Sequence, residues 1–433
     1  MVVFAIIVMQ EESLSAGPSI FFSFSPITYT NVLTKRKMFF TRNRVTELRG
    51  DLEDYENPSN NPLDPQGSRA GKERGPVQEK AHSLLPPVTV LFDVDPSWEQ
   101  ADQKTVLDYA NQLAGGIEQL GYQVTLSPLR DSDLIGHLRL QRAHSQVILN
   151  WCESIPGIPH SEPLVAQALE TLKLTYTGST SEVLALSENK PRVKEILYHC
   201  GIATPAWKVF ERPEPGLWDR FPAIVKAART HCSEGLTRDS VVLSEKELLE
   251  KVEFVLDVFG QPALVEDFID GREFHVPLWG NGRIEMLPPV EMDFSCFSDV
   301  HDHLCTYAAK FVPSSRPYQE IRTVLPAPLS EAEQRKLQKV AISAYRAIGC
   351  RDYGRIDIRF RDGLFYVLDV NPNADISPDA SFACAAESIG YSYGQMCAAL
   401  VQLASHRIPA RQKARPVPLC ARSGQRALRT SQL

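Results

Sequence analysis

The sequence predicts a protein of mixed α/β and α+β class, with an N-terminal α/β domain on a parallel sheet and a larger region of strands, helices and long loops behind it. Two observations carry this. Apolar strands alternate with amphipathic helix over residues 87–180, as they do when helices cover a parallel sheet. Further on, two apolar runs of strand period flank Asp362-Gly363, a hairpin turn signature.

Order begins at Pro87. Val88 to Phe92 reads as a buried strand, Lys104 to Gly121 as a helix with apolar residues at helical spacing and a glycine stop, and Tyr122 to Leu126 and Gln146 to Asn150 as two further strands. Ser187 to Cys200 reads as one helix closed by Gly201. Phe221 to Ala227 and Ala263 to Phe268 are strand-like, and Glu245 to Phe259 is a helix capped by Ser244. Arg272 to Phe311 reads as strands and long loops. Ser330 caps a long amphipathic helix running to Ile348, with Glu331 and Glu333 in its first turn. Arg355 to Asn371 is a hairpin, and Ser381 to Ser405 is helical. Residues 1–86 read as a disordered leader, because 51–80 is rich in Pro, Asn, Gly and charge and has almost nothing apolar to bury. Residues 406–433 read as a flexible basic tail.

At 433 residues the chain has room for two or three domains. Its net charge of −7 offers no basic surplus for nucleic acid as an obligate partner. No apolar stretch is long enough to span a bilayer, and the N-terminus lacks the basic region of an export signal, so no membrane partner and a cytoplasmic location are expected. The nine cysteines have no zinc spacing and read as free thiols.

The strongest chemical signal is Gly354-Arg355-Ile356-Asp357-Ile358 paired with Leu368-Asp369-Val370-Asn371. Strand period puts Arg355 with Asp357 on one face and Asp369 with Asn371 on one face. A plain two-residue loop would pair Asp357 with Leu368 and part the acids. A three-residue loop with Gly363 in a G1 bulge restores the parity, and that bulged turn is expected. The resulting face carries two carboxylates, an amide oxygen and a guanidinium, which suits Mg²⁺ bridging phosphates and an arginine facing a phosphate or oxyanion. An exposed strand face with an incidental salt bridge has the same residue types. Concentration of the polar groups on one face of apolar strands favours a site.

Two weaker signals accompany it. A strand ends at Lys226 and runs into a small-residue loop, 227–236, with Ser233 and Gly235; a strand-end lysine can reach phosphate oxygens, although most are merely solvated. Glu266 ends an apolar strand, with Glu273 across a glycine turn, where acids can bond an adenine edge and a ribose but are also ordinary turn residues.

Six runs, YTGSTSEVLALSENK (176–190), FPAIVKAARTHCSEGL (221–236), ALVEDFIDGREF (263–274), TYAAKF (306–311), GRIDIRF (354–360) and LDVNPN (368–373), occur in that order. Together they resemble the ATP-grasp half of D-alanine–D-alanine ligases over residues 176 to 405, about half of the chain. The resemblance implies an N-terminal α/β domain at 87–180, a central ATP-grasp subdomain at 181–270 and a C-terminal subdomain with a metal site at 271–405. It implies ATP held by Lys190, Lys226, Glu266, Phe268, Ile269, Glu273 and Lys310; catalysis by Arg355, Lys310 and Ser233; and Mg²⁺ (or Mn²⁺) on Asp357, Asp369 and Asn371. Asn373, Asp375, Asp379 and Ser381 fall where a substrate would bind. The substrates implied are an amino acid or similar carboxylate and an amine, joined through an acyl phosphate in the cytoplasm, as in peptidoglycan synthesis; a homodimer is the family habit.

The departures cluster at the substrate end. The family's Gly-rich first turn and its ammonium-binding glutamate have no counterpart in Asp93-Val94-Asp95-Pro96-Ser97-Trp98-Glu99. Its serine and tyrosine partners look like Cys232 and Phe311 here. A ligase for a different carboxylate and amine is therefore an alternative, and a non-catalytic ATP-binding protein a further one.

Overall fold

The computed structural model describes residues 85–141, 145–229, 233, 235–312 and 314–409, apart from the Phe311 side chain. The expected leader, save residues 85 and 86, and the tail beyond residue 409 lie outside the described residues.

The first unit is a parallel sheet. β1 (Val88–Asp93) is buried at every position and leads to α1 (Gln100–Glu118), whose Val106, Ala110, Leu113 and Ile117 repeat at helical spacing. β2 (Val124–Leu129), α2 (Leu134–Gln141) and β3 (Val147–Asn150) follow, giving the order β2-β1-β3 with β1 parallel to both neighbours. α2 and then α3 (Glu162–Thr171) are not foreseen by the sequence reading. At the end of β1, Asp93 accepts from the Glu153 N–H and the Ser154 hydroxyl, both at 3.0 Å, and Asp95 accepts from the Gly157 N–H at 2.7 Å. Both acids thus fasten the loop after β3.

The expected helix from Ser187 to Cys200 is two helices, α4 (Ser181–Glu188) and α5 (Lys190–His199). The break is Asn189, which ends the first and caps the second by accepting from Arg192 N–H; Pro191 in the first turn of α5 suits a helix start and not a helix interior. β4 (Trp207–Phe210), β5 (Ala223–Ala227), β6 (Val241–Val242), α6 (Glu245–Phe259) and β7 (Ala263–Asp267) make the second sheet, order β4-β7-β5-β6, every pair antiparallel. α6 buries Leu248, Val252 and Val255 against it.

β8 (Arg272–Trp279), β9 (Glu285–Met286), β10 (Val290–Asp293), α7 (Tyr307–Phe311), α8 (Arg316–Glu320), β11 (Arg322–Val324), α9 (Glu331–Ile348), β12 (Tyr353–Arg361) and β13 (Leu364–Asn371) form the third, antiparallel sheet and its helices, with strand order β11-β10-β8-β12-β13 and β9 beside β8. α9 has the expected Ser330 cap, with Glu333 closing a capping box, and packs Leu337, Ala341 and Ala344 against one face of the sheet. The other face lines a cleft.

The expected helical stretch from Ser381 to Ser405 is made of two helices, α10 (Ser381–Ser388) and α11 (Tyr393–Ser405), parted by Gly390 at φ +92. Both pack into the core of the first unit, together with β1, β3 and α1. Arg407, from the start of the basic tail, pairs with the buried Asp352 at 2.6 Å and donates to Tyr176 O at 2.7 Å.

Candidate active site

The register of β8, β12 and β13 builds the floor of the cleft. The hairpin turn has two residues, Asp362 and Gly363, both with positive φ, so the G1-bulged turn expected from the sequence is not formed. The parity is restored elsewhere. Ile358 pairs with Val367 and Asp357 with Asp369, leaving Leu368 as an extra residue in β13. This mid-strand bulge turns Leu368 and Asp369 to the cleft together. Three rows of polar side chains result: Arg355 opposite Asn371; His275, Asp357 and Asp369; and Glu273 beside Arg359.

The first two rows are tied to each other and the third within itself. Arg355 grips Asp357 with two bonds, 2.7 and 2.9 Å, and the Asn371 amide donates to Asp357 at 3.1 Å. Burial would push the Asp357 carboxyl up, but Arg355 and His275 beside it hold it well below the usual carboxylate range. Burial lowers the His275 imidazole to about 4, so it is neutral near pH 7. Arg359, 1% exposed, donates to Glu273 at 2.8 Å and to Ile269 O at 2.8 Å, and its guanidinium lies over the Phe268 ring, 4.7 Å from the centroid.

The opposite wall carries the lysines. Lys190 starts α5, Lys226 sits in β5 and Lys310 in α7. Glu266, fully buried in β7, takes Lys194 at 2.5 Å on one oxygen and Lys226 on the other, so its carboxylate serves two ammonium groups. Burial pulls Lys226 down to about 8. Lys310 donates to Ser233 at 2.9 Å, and the Ser233 hydroxyl donates to Cys305 O at 3.1 Å, which pins the small-residue loop to the segment that carries α7.

At the far end, Tyr353 donates to Asn373 at 2.6 Å, and the Asn373 amide donates to Glu162 of the first unit. Asp375 accepts from Ser377 N–H at 2.8 Å. Asp379 bonds to Tyr109, whose hydroxyl is raised to about 12 by burial and by Asp379.

Of the expected site residues, Lys190, Lys226, Ser233, Glu266, Phe268, Ile269, Glu273, Lys310, Arg355, Asp357, Asp369, Asn371, Asn373, Asp375 and Asp379 all line the cleft. Ser381 does not: it opens α10 with its side chain buried. Cys232 and the Phe311 side chain lie outside the described residues. Sequence reasoning missed His275 and Arg359, along with Glu153, His160 and Glu162 from the first unit, all of which line the cleft, and Lys194, which pairs with Glu266. The oxygen set of Asp357, Asp369 and Asn371 fits a hard divalent cation. Two carboxylates directly opposed across a ladder repel each other, and a cation would offset that.

The family model described as D-ala D-ala ligase C-terminus matches residues 196–402. A D-alanine–D-alanine ligase of Desulforamulus reducens is 31% identical over 248 residues, covering 54% of this chain and 75% of that protein. An uncharacterized protein, y4sG, of Sinorhizobium fredii is 31% identical over 265 residues, 61% of this chain and 76% of its own. Among solved structures, D-alanine–D-alanine ligase from Bacillus anthracis, complexed with ATP, superposes with a TM-score of 0.58 at 18% identity, over 74% of this chain and 98% of that one, a likeness of fold.

Proposed function

From the premise that this chain belongs to the D-alanine–D-alanine ligase family, we propose that it is an ATP-dependent ligase that activates a carboxylate as an acyl phosphate and joins it to an amine. The observation that carries the reading is the bulged hairpin register, which aligns Arg355, Asp357, Asp369 and Asn371 on one surface of the cleft that Lys190, Lys226 and Lys310 also line.

In this reading the three lysines bind the triphosphate, and Glu266 holds Lys226 in position. Ile269 and Phe268 border the base, and Glu273 takes the ribose. Asp357, Asp369 and Asn371 would hold Mg²⁺ (or Mn²⁺), which when bound neutralises phosphate charge. Lys310, positioned by Ser233, meets the γ-phosphate. A substrate carboxylate oxygen attacks the γ-phosphorus, and the bond to the bridging oxygen breaks to release ADP. The amine then attacks the acyl carbon, loses a proton, and phosphate departs. Arg355 is the donor to the oxyanion formed in that second step.

D-alanine as both substrates is the family's reading. A different amino acid or amine is favoured by one observation: Asp93 at the end of β1 and Asp95 just beyond it bond the 153–157 loop and do not line the cleft, whereas Glu153, His160 and Glu162 do. The test is ADP formation by the purified chain with ATP, Mg²⁺ and a panel of D- and L-amino acids and simple amines. Release with D-alanine alone supports the first substrate reading and release with another pair the second. ATP binding without turnover on any pair would overturn the ligase assignment.

A further inference from the structure

Glu273, His275 and Cys305 meet in the cleft beside the row of Asp357 and Asp369. One ligand-type atom from each lies within 4.8 Å of the other two, and all three residues are buried. Glu273 and His275 are two apart on β8, so their side chains leave the same face of the strand. Arg359 occupies Oε2 of Glu273; the other oxygen, Oε1, stands 3.9 Å from His275 Nε2. That is too long for a hydrogen bond and a little wider than the roughly 3.4 Å between two ligands of a tetrahedral zinc. The Nδ1 atom of His275 is buried and has no hydrogen-bond partner among the described residues. Nε2, the nitrogen that faces Glu273, is the atom placed to ligate, and the orphaned Nδ1 is a separate feature of the same ring.

We propose that Glu273, His275 and Cys305 form a second cation site, selective for a thiophilic divalent ion such as Zn²⁺, whose occupation excludes the nucleotide. The donor set is one oxygen, one nitrogen and one sulfur, which favours zinc over magnesium. All three residues line the cleft. Capture of the metal proceeds by loss of the Cys305 thiol proton to solvent and formation of a metal–sulfur bond, with no change of oxidation state. Exclusion of the nucleotide rests on the ligase reading, in which Glu273 takes the ribose; binding of the metal does not.

The test is titration of the full chain with Co²⁺ in excess Mg²⁺, which keeps the all-oxygen set of Asp357, Asp369 and Asn371 filled. One equivalent of Co²⁺ is expected to give the intense visible bands of a tetrahedral site and a thiolate charge-transfer band, and Zn²⁺ to bleach both. The Cys305→Ser variant loses the charge-transfer band and binds Co²⁺ at least about tenfold more weakly, the scale that loss of even an outer partner of a ligand produces. Adenosine, which has no phosphates to chelate the ion, raises the Co²⁺ concentration needed. A spectrum that is absent, pale and erased by Mg²⁺, or undiminished in Cys305→Ser overturns the site. Should no carboxylate and amine support ADP formation while the wild-type Co²⁺ spectrum appears, the ligase reading fails and the metal site stands.

Discussion

The two ends of the cleft are built by different means. At the hairpin end, Arg355, Asp357, Asp369 and Asn371 are set by the backbone ladder of two adjacent strands, so their convergence depends on register alone. At the far end, Asn373 reaches Glu162 across 211 positions of chain, and Asp379 meets Tyr109 of α1. That end is assembled by side-chain bonds between loops and helices of separate units. Chemistry anchored in one ladder is rigid, and selectivity held by loop contacts is free to vary. This fits the sequence reading, in which the hairpin resembles the family's and the substrate end is expected to depart from it.

The sharpest way to break the contrast is Asp369→Ala. ADP formation should fall by about a thousandfold or more, the upper range for losing one electrostatic contact to a transition state. Stability in EDTA should hold or rise slightly, because a like-charge pair with Asp357 is removed. Wild-type turnover in that variant sinks the metal assignment. Next, Arg359→Leu should destabilise the protein by about 3–5 kcal/mol in urea unfolding, since it strands the buried Glu273. A change below about 1 kcal/mol would show that the pair is solvated.

A third test uses pH. His275 titrates near 4 when folded and near 6.5 when unfolded, so the unfolded state takes up the proton first as pH falls. Its contribution is full above about 6.5 and is lost on the way down to about 4, on the order of 3 kcal/mol in all. Urea midpoints followed in EDTA should therefore drop less steeply over that window in His275→Gln, and identical slopes refute the buried neutral imidazole. The smallest effect is expected at the far end. Asn373→Ala should raise the KM for the amine or carboxylate about tenfold, with kcat and the KM for ATP little changed, as loss of a positioning hydrogen bond would. Loss of kcat with an unmoved KM would assign Asn373 to the chemistry.

Legibility in the sequence follows the same division. Asp362-Gly363 announced the hairpin, and period-2 reasoning showed that some bulge was needed to bring the acids together. It could not find Leu368, because nothing in Leu364 to Asn371 marks which residue the ladder skips. Asn189-Lys190-Pro191 does carry a helix-start signal, which a reading of apolar spacing overran. Arg359, His275 and Lys194 look like ordinary strand and helix residues. Their burial is decided by partners such as Glu273 and Glu266, 86 and 72 positions away for Arg359 and Lys194, and local pattern holds no trace of that.

Gly116 and Gly394 draw the consequences together. A Cβ on Gly116 would stand 2.8 Å from the Gly394 Cα, and one on Gly394 would stand 2.3 Å from the Gly116 carbonyl oxygen, so α1 and α11 touch backbone to backbone. The hydrophobic interior begun by β1 is thus finished by α11, which leaves the ribosome some three hundred residues later. A growing chain must carry an incomplete first domain through most of its synthesis, and any side chain larger than a hydrogen at either glycine would wedge that late closure open.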